Sequence, residues 1–316
     1  DTKPLREIRG INSLVLVGQM GNITGLAVAD LLTGKASPSG KLTDTWAENY
    51  ADYPSSATFS HNDGDVSDEY YTEGIFVGYR YFDTFGIKPA YEFGFGRSYT
   101  DFLMEMEDVR IDGSDILLEI RVKNTGKKYA GREVAQIYVS APEGESPKPF
   151  QELRGFAKTG VLQPGEEEKL KIRIHAASLA SFCPEKSAWV LDEGDYIIRF
   201  GNSSRNTHVA AVVHLPESVV TQKVKPLFRD PDTSLKEIVP PGACLRAQAD
   251  ESETAKARKL TLDPEKIKTI EAKYASLPDA LPKSLTEVIP FDDVVSGKAS
   301  LESFIAQLTD EELAYL

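Results

Sequence analysis

Beyond Ser98 the sequence alternates between apolar and polar residues, and this rhythm most restricts what the chain can become. The run "DFLMEMEDVRIDGSDILLEIRVKNTGKKYAGREVAQIYVSAP" carries Leu117, Ile120 and Val122, then "NTG", then Val134, Ile137 and Val139. "KLKIRIH", "SAWVLDEGDYIIRFGNSS" and "THVAAVVHL" continue the pattern. Successive side chains of a strand point to opposite faces, so alternation marks a strand with one face inside and one in water. About seven short strands result, most of them separated by Asp-Gly, Asn-Thr-Gly, Gln-Pro-Gly, Asp-Glu-Gly or Gly-Asn-Ser-Ser turns. Strands at this spacing predict an antiparallel β-sandwich over residues 99–216.

The first forty residues follow a different rule. "INSLVLVG" is almost wholly apolar without alternation, the mark of a strand buried on both faces in a parallel sheet. A helix should follow, capped by Asn22 or Thr24, with Ile23, Leu26, Ala27, Ala29 and Leu32 as its apolar positions and Gly34 as its stop. Residues 11–40 thus predict one strand–helix unit, which cannot cover both faces of its own strand. The remainder of that sheet is expected upstream of Asp1.

Two binding motifs fail when tested. "GNITG" opens a helix but lacks both the G-x-G-x-x-G spacing and a GK[ST] ending, so it predicts a tight turn rather than a phosphate cradle. In the acidic loop around Asp63, Asp65, Asp68 and Glu69, a calcium loop counted from Asp63 needs Gly at its sixth position and Glu at its twelfth. Those positions hold Asp68 and Gly74, so the loop reads as solvated.

Residues 72–102, "TEGIFVGYRYFDTFGIKPAYEFGFGRSYTDF", are too rich in glycine for a helix and too aromatic for a linker. They predict a hairpin whose Phe76, Tyr79, Tyr81, Phe82, Tyr91, Phe93 and Phe95 fill a seam between domains, with glycines letting backbones approach. Residues 217–290 show little strand pattern and predict a connecting segment with short helices broken by proline. The last residues predict one amphipathic helix through Leu301, Phe304, Ile305, Leu308 and Leu313. Both ends are expected to be cut from a longer protein.

Charge and cysteine usage exclude other classes. Forty-nine acidic residues against 36 basic ones give a net charge of −13, which repels nucleic acid and anionic membranes. No apolar run is long enough to span a bilayer. Cys183 and Cys244 form no CxxC or Cys/His cluster, which favours a reducing compartment, and His61, His175, His208 and His214 are scattered.

"PSGKL" at 38–42, "EGI" at 73–75, "VGYRY" at 77–81 and "FGFGRSYT" at 93–100 resemble, in order and spacing, glycoside hydrolase family 3, the β-glucosidase-type enzymes. The resemblance covers about residues 11–215. Thr43 stands where the family usually has proline. It implies an α+β multidomain fragment: the end of an α/β sandwich at 1–98, then an immunoglobulin-like (fibronectin type III-like) β-sandwich at 99–216. A linker at 217–290 and the first helix of a barrel at 291–316 complete it. "LESFIAQLTDEELAYL" is similar to the opening of the family's (β/α)8 barrel, and its place after the sandwich implies the permuted domain order of some bacterial members.

The resemblance further implies a retaining β-glycosidase acting on a terminal β-D-glucosyl residue of an oligosaccharide or other β-glucoside, without cofactor or metal. The family's nucleophile is an Asp in a barrel "SDW" motif, and its acid/base is a Glu upstream of "PSGKL". Neither motif occurs in this chain. Both carboxyls are therefore expected outside it, with Glu73 the one candidate inside. Glu73 reads better as a structural residue paired with Arg80 or with backbone donors, because an Arg neighbour lowers a carboxyl pKa that a general acid needs raised. The loop Asn62–Tyr71 is the candidate rim of an active-site entrance. The other class of function open to such a chain is a non-catalytic carbohydrate-binding or adhesion module. The compartment expected is the cytoplasm, with secretion the alternative because the true N-terminus is expected upstream.

Overall fold

The computed structural model describes residues 3–144, 146–225, 236–240, 251–274 and 288–315. The chain divides into two compact units, Asp1–Glu271 and Ala272–Leu316. The first begins with α1 (Lys3–Glu7) and α2 (Thr24–Leu32). Between them residues 11–20 form no strand, and Leu14, Val15, Leu16 and Val17 are exposed. A strand apolar on both faces needs neighbours for its backbone and covers for its sides, and the described residues supply neither. The cap of α2 also differs from expectation. Ile23 occupies the N-cap without a side-chain bond, and the Thr24 hydroxyl turns back to the Gly21 carbonyl at 2.6 Å. Gly34 ends the helix as predicted, in the left-handed region at φ 73°.

β1 (Trp46–Ala47) pairs with β2 (Pro89–Tyr91). Between them lies α3 (Tyr79–Thr84), so the aromatic stretch contains a short helix where a hairpin was expected. The glycines flank this helix rather than interrupt it: Gly78 precedes it and Gly86 follows, both at positive φ.

The β-sandwich follows the alternation. β3 (Phe102–Asp112), β4 (Asp115–Asn124), β5 (Val134–Ser140), β6 (Glu152–Lys158) and β7 (Glu167–His175) come first. Next are β8 (Ser181–Cys183), β9 (Ala188–Leu191), β10 (Gly194–Ser203), β11 (Asn206–Leu215) and β12 (Val219–Lys223). One sheet has the order β3-β4-β7, and the opposing sheet is β6-β5-β10-β11 extended by one more strand. Ile116, Leu118, Ile120 and Val122 of β4 face Ile137 of β5, Ile198 of β10 and Val213 of β11 across a core in which each is almost fully buried. The seven strands β3-β4-β7 and β6-β5-β10-β11 pair antiparallel in a sandwich of the fibronectin type III kind, and the fold class is the one predicted.

The segment expected to be a plain linker contributes to that core. After α4 (Glu251–Lys256), β13 (Arg258–Thr261) pairs in parallel with β11. Leu262 and Ile267 are then buried at 1% and 5% exposure. β12 and β14 (Ile270–Glu271) join β8 and β9 in a separate four-stranded sheet. The strands are short and half exposed, so they carry no clear alternation in sequence. The short helices predicted over 260–288 are replaced in residues 260–274 by the end of β13, one 3-10 turn at Pro264–Lys266 and β14, and residues 275–287 lie outside the described residues.

The second unit holds α5 (Phe291–Val295), α6 (Leu301–Ala306) and α7 (Asp310–Tyr315). The single C-terminal helix expected from the apolar spacing is broken at Leu308–Thr309. The Thr309 hydroxyl accepts from the Glu312 amide at 3.2 Å, and the Glu312 carboxylate accepts from the Thr309 amide at 2.8 Å. This capping box starts a new helix inside the apolar repeat.

Candidate functional site

Family-like motifs far apart in sequence are joined by backbone. The Leu42 amide donates to the Phe95 carbonyl and the Gly94 amide to the Leu42 carbonyl, each at 2.8 Å. "PSGKL" and "FGFG" therefore run side by side. Gly94 has φ 81°, and a β-carbon there would collide with the Gln136 side-chain amide, so only glycine fits. Lys41 reaches from this turn to Glu133, 2.7 Å away, with both side chains about nine-tenths buried. A buried charge persists only when paired. Lys41 is thus a tie between this turn and the sandwich.

The aromatic stretch covers the outer face of the sheet β6-β5-β10-β11. Strands with one wet face alternate in burial, as β7 does, yet almost every residue of β5 is buried. Its outward residues Gln136 and Tyr138 lie under this lid, while Ser140 is buried with Arg199 of β10, whose guanidinium sits over the Phe150 ring. Tyr79 meets Tyr138 edge to face at 5.9 Å and tilts against Phe93 at 4.8 Å. The Tyr79 hydroxyl accepts from the Leu153 amide at 2.9 Å, and the Gln136 amide donates to the Gly94 and Asn202 carbonyls. On the far side of α3, Tyr81, Phe82, Phe85 and Phe76 pack with Tyr53. Burial pushes the Tyr81 phenol above its ordinary pKa.

Asp83, in the middle of this aromatic run, is 1% exposed. Its two oxygens accept from Arg205 Nε at 2.9 Å and from Gln151 Nε2 at 3.0 Å. Arg205 also donates to the carbonyls of Phe82 and Ile87, closing the end of α3. The sequence offered one signal for this tie: a carboxylate within an apolar aromatic run must have a partner. The partner's identity is not local and could not be read.

Glu73 stands apart from Arg80. Arg80 Nε lies 3.4 Å from Glu152, so the Glu73–Arg80 pairing expected from sequence is not formed. The Glu73 carbonyl accepts from the Phe76 amide at 2.9 Å, and Glu73 is half-buried beside the crossing segment 236–240, where the Ile238 amide donates to Thr72. In the loop Asn62–Tyr71, Asp65 Oδ1 accepts from the amides of Ser67 and Asp68. Those bonds hold the Asp65 carboxyl below the usual carboxylate range. Asp63 and Asp65 thus serve the loop's own backbone, and Glu69 lies 3.8 Å from His61.

An open cleft of about 350 Å³ lies by the seam, lined by Arg97, Asp101, Glu133 and Asn202 among others. It could be mistaken for a carboxylate pair. However, Glu133 Oε1 is taken by Lys41 and by the Val134 amide at 2.7 Å, and Oε2 by Asn202 Nδ2 at 3.3 Å. Retaining glycoside hydrolysis needs one free nucleophilic carboxylate and one proton-donating carboxyl about 5–5.5 Å apart. The seam's Asp83 and Glu133 are committed to holding domains together. Among the described residues no group of three or more His, Cys, Asp or Glu side chains is arranged to hold a metal ion.

Comparison with known proteins agrees with this geometry. Residues 3–79 match the glycosyl hydrolase family 3 C-terminal domain, and residues 133–204 match the fibronectin type III-like domain. β-Glucosidase A of Butyrivibrio fibrisolvens is 35% identical over all of this chain, which spans 41% of that relative. Among solved structures, a β-glucosidase from Paenibacillus barengoltzii is 36% identical, with a TM-score of 0.62 over 92% of this chain and 32% of its own. β-Glucosidase 3B from Thermotoga neapolitana, solved in complex with α-D-glucose, is 46% identical. Its TM-score is 0.59 over 64% of this chain and 28% of its own. The chain thus spans well under half the length of these relatives.

Proposed function

The chain belongs to glycoside hydrolase family 3, and from that premise we propose that it is the scaffold portion of a retaining β-glucosidase. The whole protein would hydrolyse terminal non-reducing β-D-glucosyl residues of oligosaccharides or other β-glucosides. The observation that carries this reading is the seam: "PSGKL", "GYRYFD" and "FGFG" are locked onto the sandwich by Lys41–Glu133 and Asp83–Arg205. That lock would fix the α/β domain, and the carboxyl expected on it, against the rest of the enzyme. A rigid supporting shell is what holds catalytic groups in productive geometry.

In this reading the acid/base Glu comes from the part of the α/β domain upstream of residue 1. The nucleophilic Asp comes from a barrel downstream of residue 316. The Butyrivibrio match runs through the whole chain, which supports reading residues 291–316 as part of the same kind of enzyme. The two carboxyls would work by double displacement: the Asp forms a glycosyl-enzyme as the Glu protonates the leaving oxygen, and the Glu then takes a proton from the attacking water. The test is a proton NMR time course of aryl β-glucoside hydrolysis by the longer protein. β-Glucose as first product is expected. α-Glucose as first product, or no hydrolysis, would reject the reading.

A further inference from the structure

The four-stranded sheet beside the sandwich carries a row of side chains that the scaffold role leaves unused. Phe182 of β8 is in register with Trp189 of β9, Trp189 with Gln222 of β12, and Gln222 with Ile270 of β14. Residues directly opposite in a sheet share a face, so the four lie in one line across it. The opposite face is spent on a small core of Cys183, Ala188 and Val190, packed by Val220. The row itself is open: Phe182 is 40% exposed, Trp189 41% and Ile270 57%. The two rings stand 5.7 Å apart, tilted at 58°. Three strand spacings make the row roughly 14 Å long, enough to pass beneath several linked pyranose rings.

We propose that Phe182, Trp189, Gln222 and Ile270 form a binding platform for a neutral β-glucan or its oligosaccharides. The C–H faces of glucopyranose rings stack on exposed aromatic rings, which combine large contact area with low entropic cost. The Gln222 amide, set between the apolar members, offers both donors and an acceptor to sugar hydroxyls. The charge balance favours a neutral ligand. The row carries no ionisable side chain, and the chain's net charge of −13 repels polyanions. This inference rests on the glucosidase reading for its choice of sugar. The platform would hold the polymer near an enzyme that removes terminal residues.

The chain has only two tryptophans, so Trp46→Phe leaves Trp189 as the sole indole reporter. Titration of that variant with cellohexaose, and separately with laminarihexaose, should give a saturable change in Trp189 fluorescence with at least one of them. Phe182→Ala and, away from the β8–β9 hairpin, Ile270→Ser should each weaken the response about tenfold without altering thermal unfolding. No saturable change with either sugar at millimolar concentration would overturn the proposal, as would equal affinity in both variants. Sedimentation showing a dimer that Trp189→Ala dissolves would also overturn it, by making the row a contact between copies. Hydrolysis of an aryl β-glucoside by the longer protein is scored separately. Its presence with no glucan binding sinks the platform alone, and its absence sinks the glucosidase reading.

Discussion

Asp83 and Arg205 meet as an ion pair at 2.9 Å between the aromatic stretch and the turn joining β10 to β11, with the carboxylate 1% exposed. The pair joins the aromatic stretch, which continues past the family 3 C-terminal match at 3–79, to the fibronectin type III-like sandwich. Arg205 serves three acceptors with its fixed fork, Asp83 and the carbonyls of Phe82 and Ile87. Gln151 satisfies the second carboxylate oxygen.

Asp83→Ala should therefore destabilise the first unit by about 3 kcal/mol, since it strands a mostly buried guanidinium. Asp83→Asn should cost less, because it keeps one acceptor for Arg205. Urea unfolding midpoints of the three chains check this. Equal midpoints for Asp83→Ala and the parent would show that the seam does not rely on the pair.

Acid should loosen the segment 251–261. The Val209 amide donates to Glu253 at 2.9 Å, and this bond, ahead of the one to His208, holds the Glu253 carboxyl below its ordinary value. A carboxyl with a depressed folded pKa stabilises fully above its unfolded pKa, about 4.3. That stabilisation is lost as the pH falls through the lower folded value. Hydrogen exchange at Val209 should accelerate below about pH 4 beyond the intrinsic rate. Glu253→Gln should remove that pH dependence, and an unchanged profile in the variant would contradict the assignment.

The sandwich should need more than its seven antiparallel strands. Leu262 and Ile267 fill its core, and β13 covers the edge of β11. Residues 99–216 alone should unfold at a lower temperature than residues 99–271, and both should lose stability relative to the full chain, which covers Gln136 and Tyr138. Calorimetry compares the three. Identical transitions for the two shorter chains would show that the later segment is an ornament.

β4 and β7 were legible in the sequence because each has one wet face and one dry face, which alternation records directly. β5 and β10 alternate as well, but their polar residues look solvated in sequence and are buried in fact. Nothing local announces that Gln136 faces an aromatic lid, or that Arg199 is buried against Phe150. β6 escaped notice because Gly155 stands at mid-strand, where a β-carbon would strike Ile172. β13 escaped because four half-exposed residues carry no period. For the site, the roles of Lys41 and Asp83 could not be read, since their partners Glu133 and Arg205 come from distant segments of the chain.

In the proposed enzyme this chain supports catalysis without performing it. Turnover of an aryl β-glucoside by purified residues 1–316, beside the longer protein and beside Glu73→Gln in each, tests this. No turnover by the chain is expected, with hydrolysis by the longer protein and hydrolysis retained in the longer protein's Glu73→Gln variant. Turnover by residues 1–316 that Glu73→Gln abolishes would contradict it, and would make Glu73 the catalytic carboxyl.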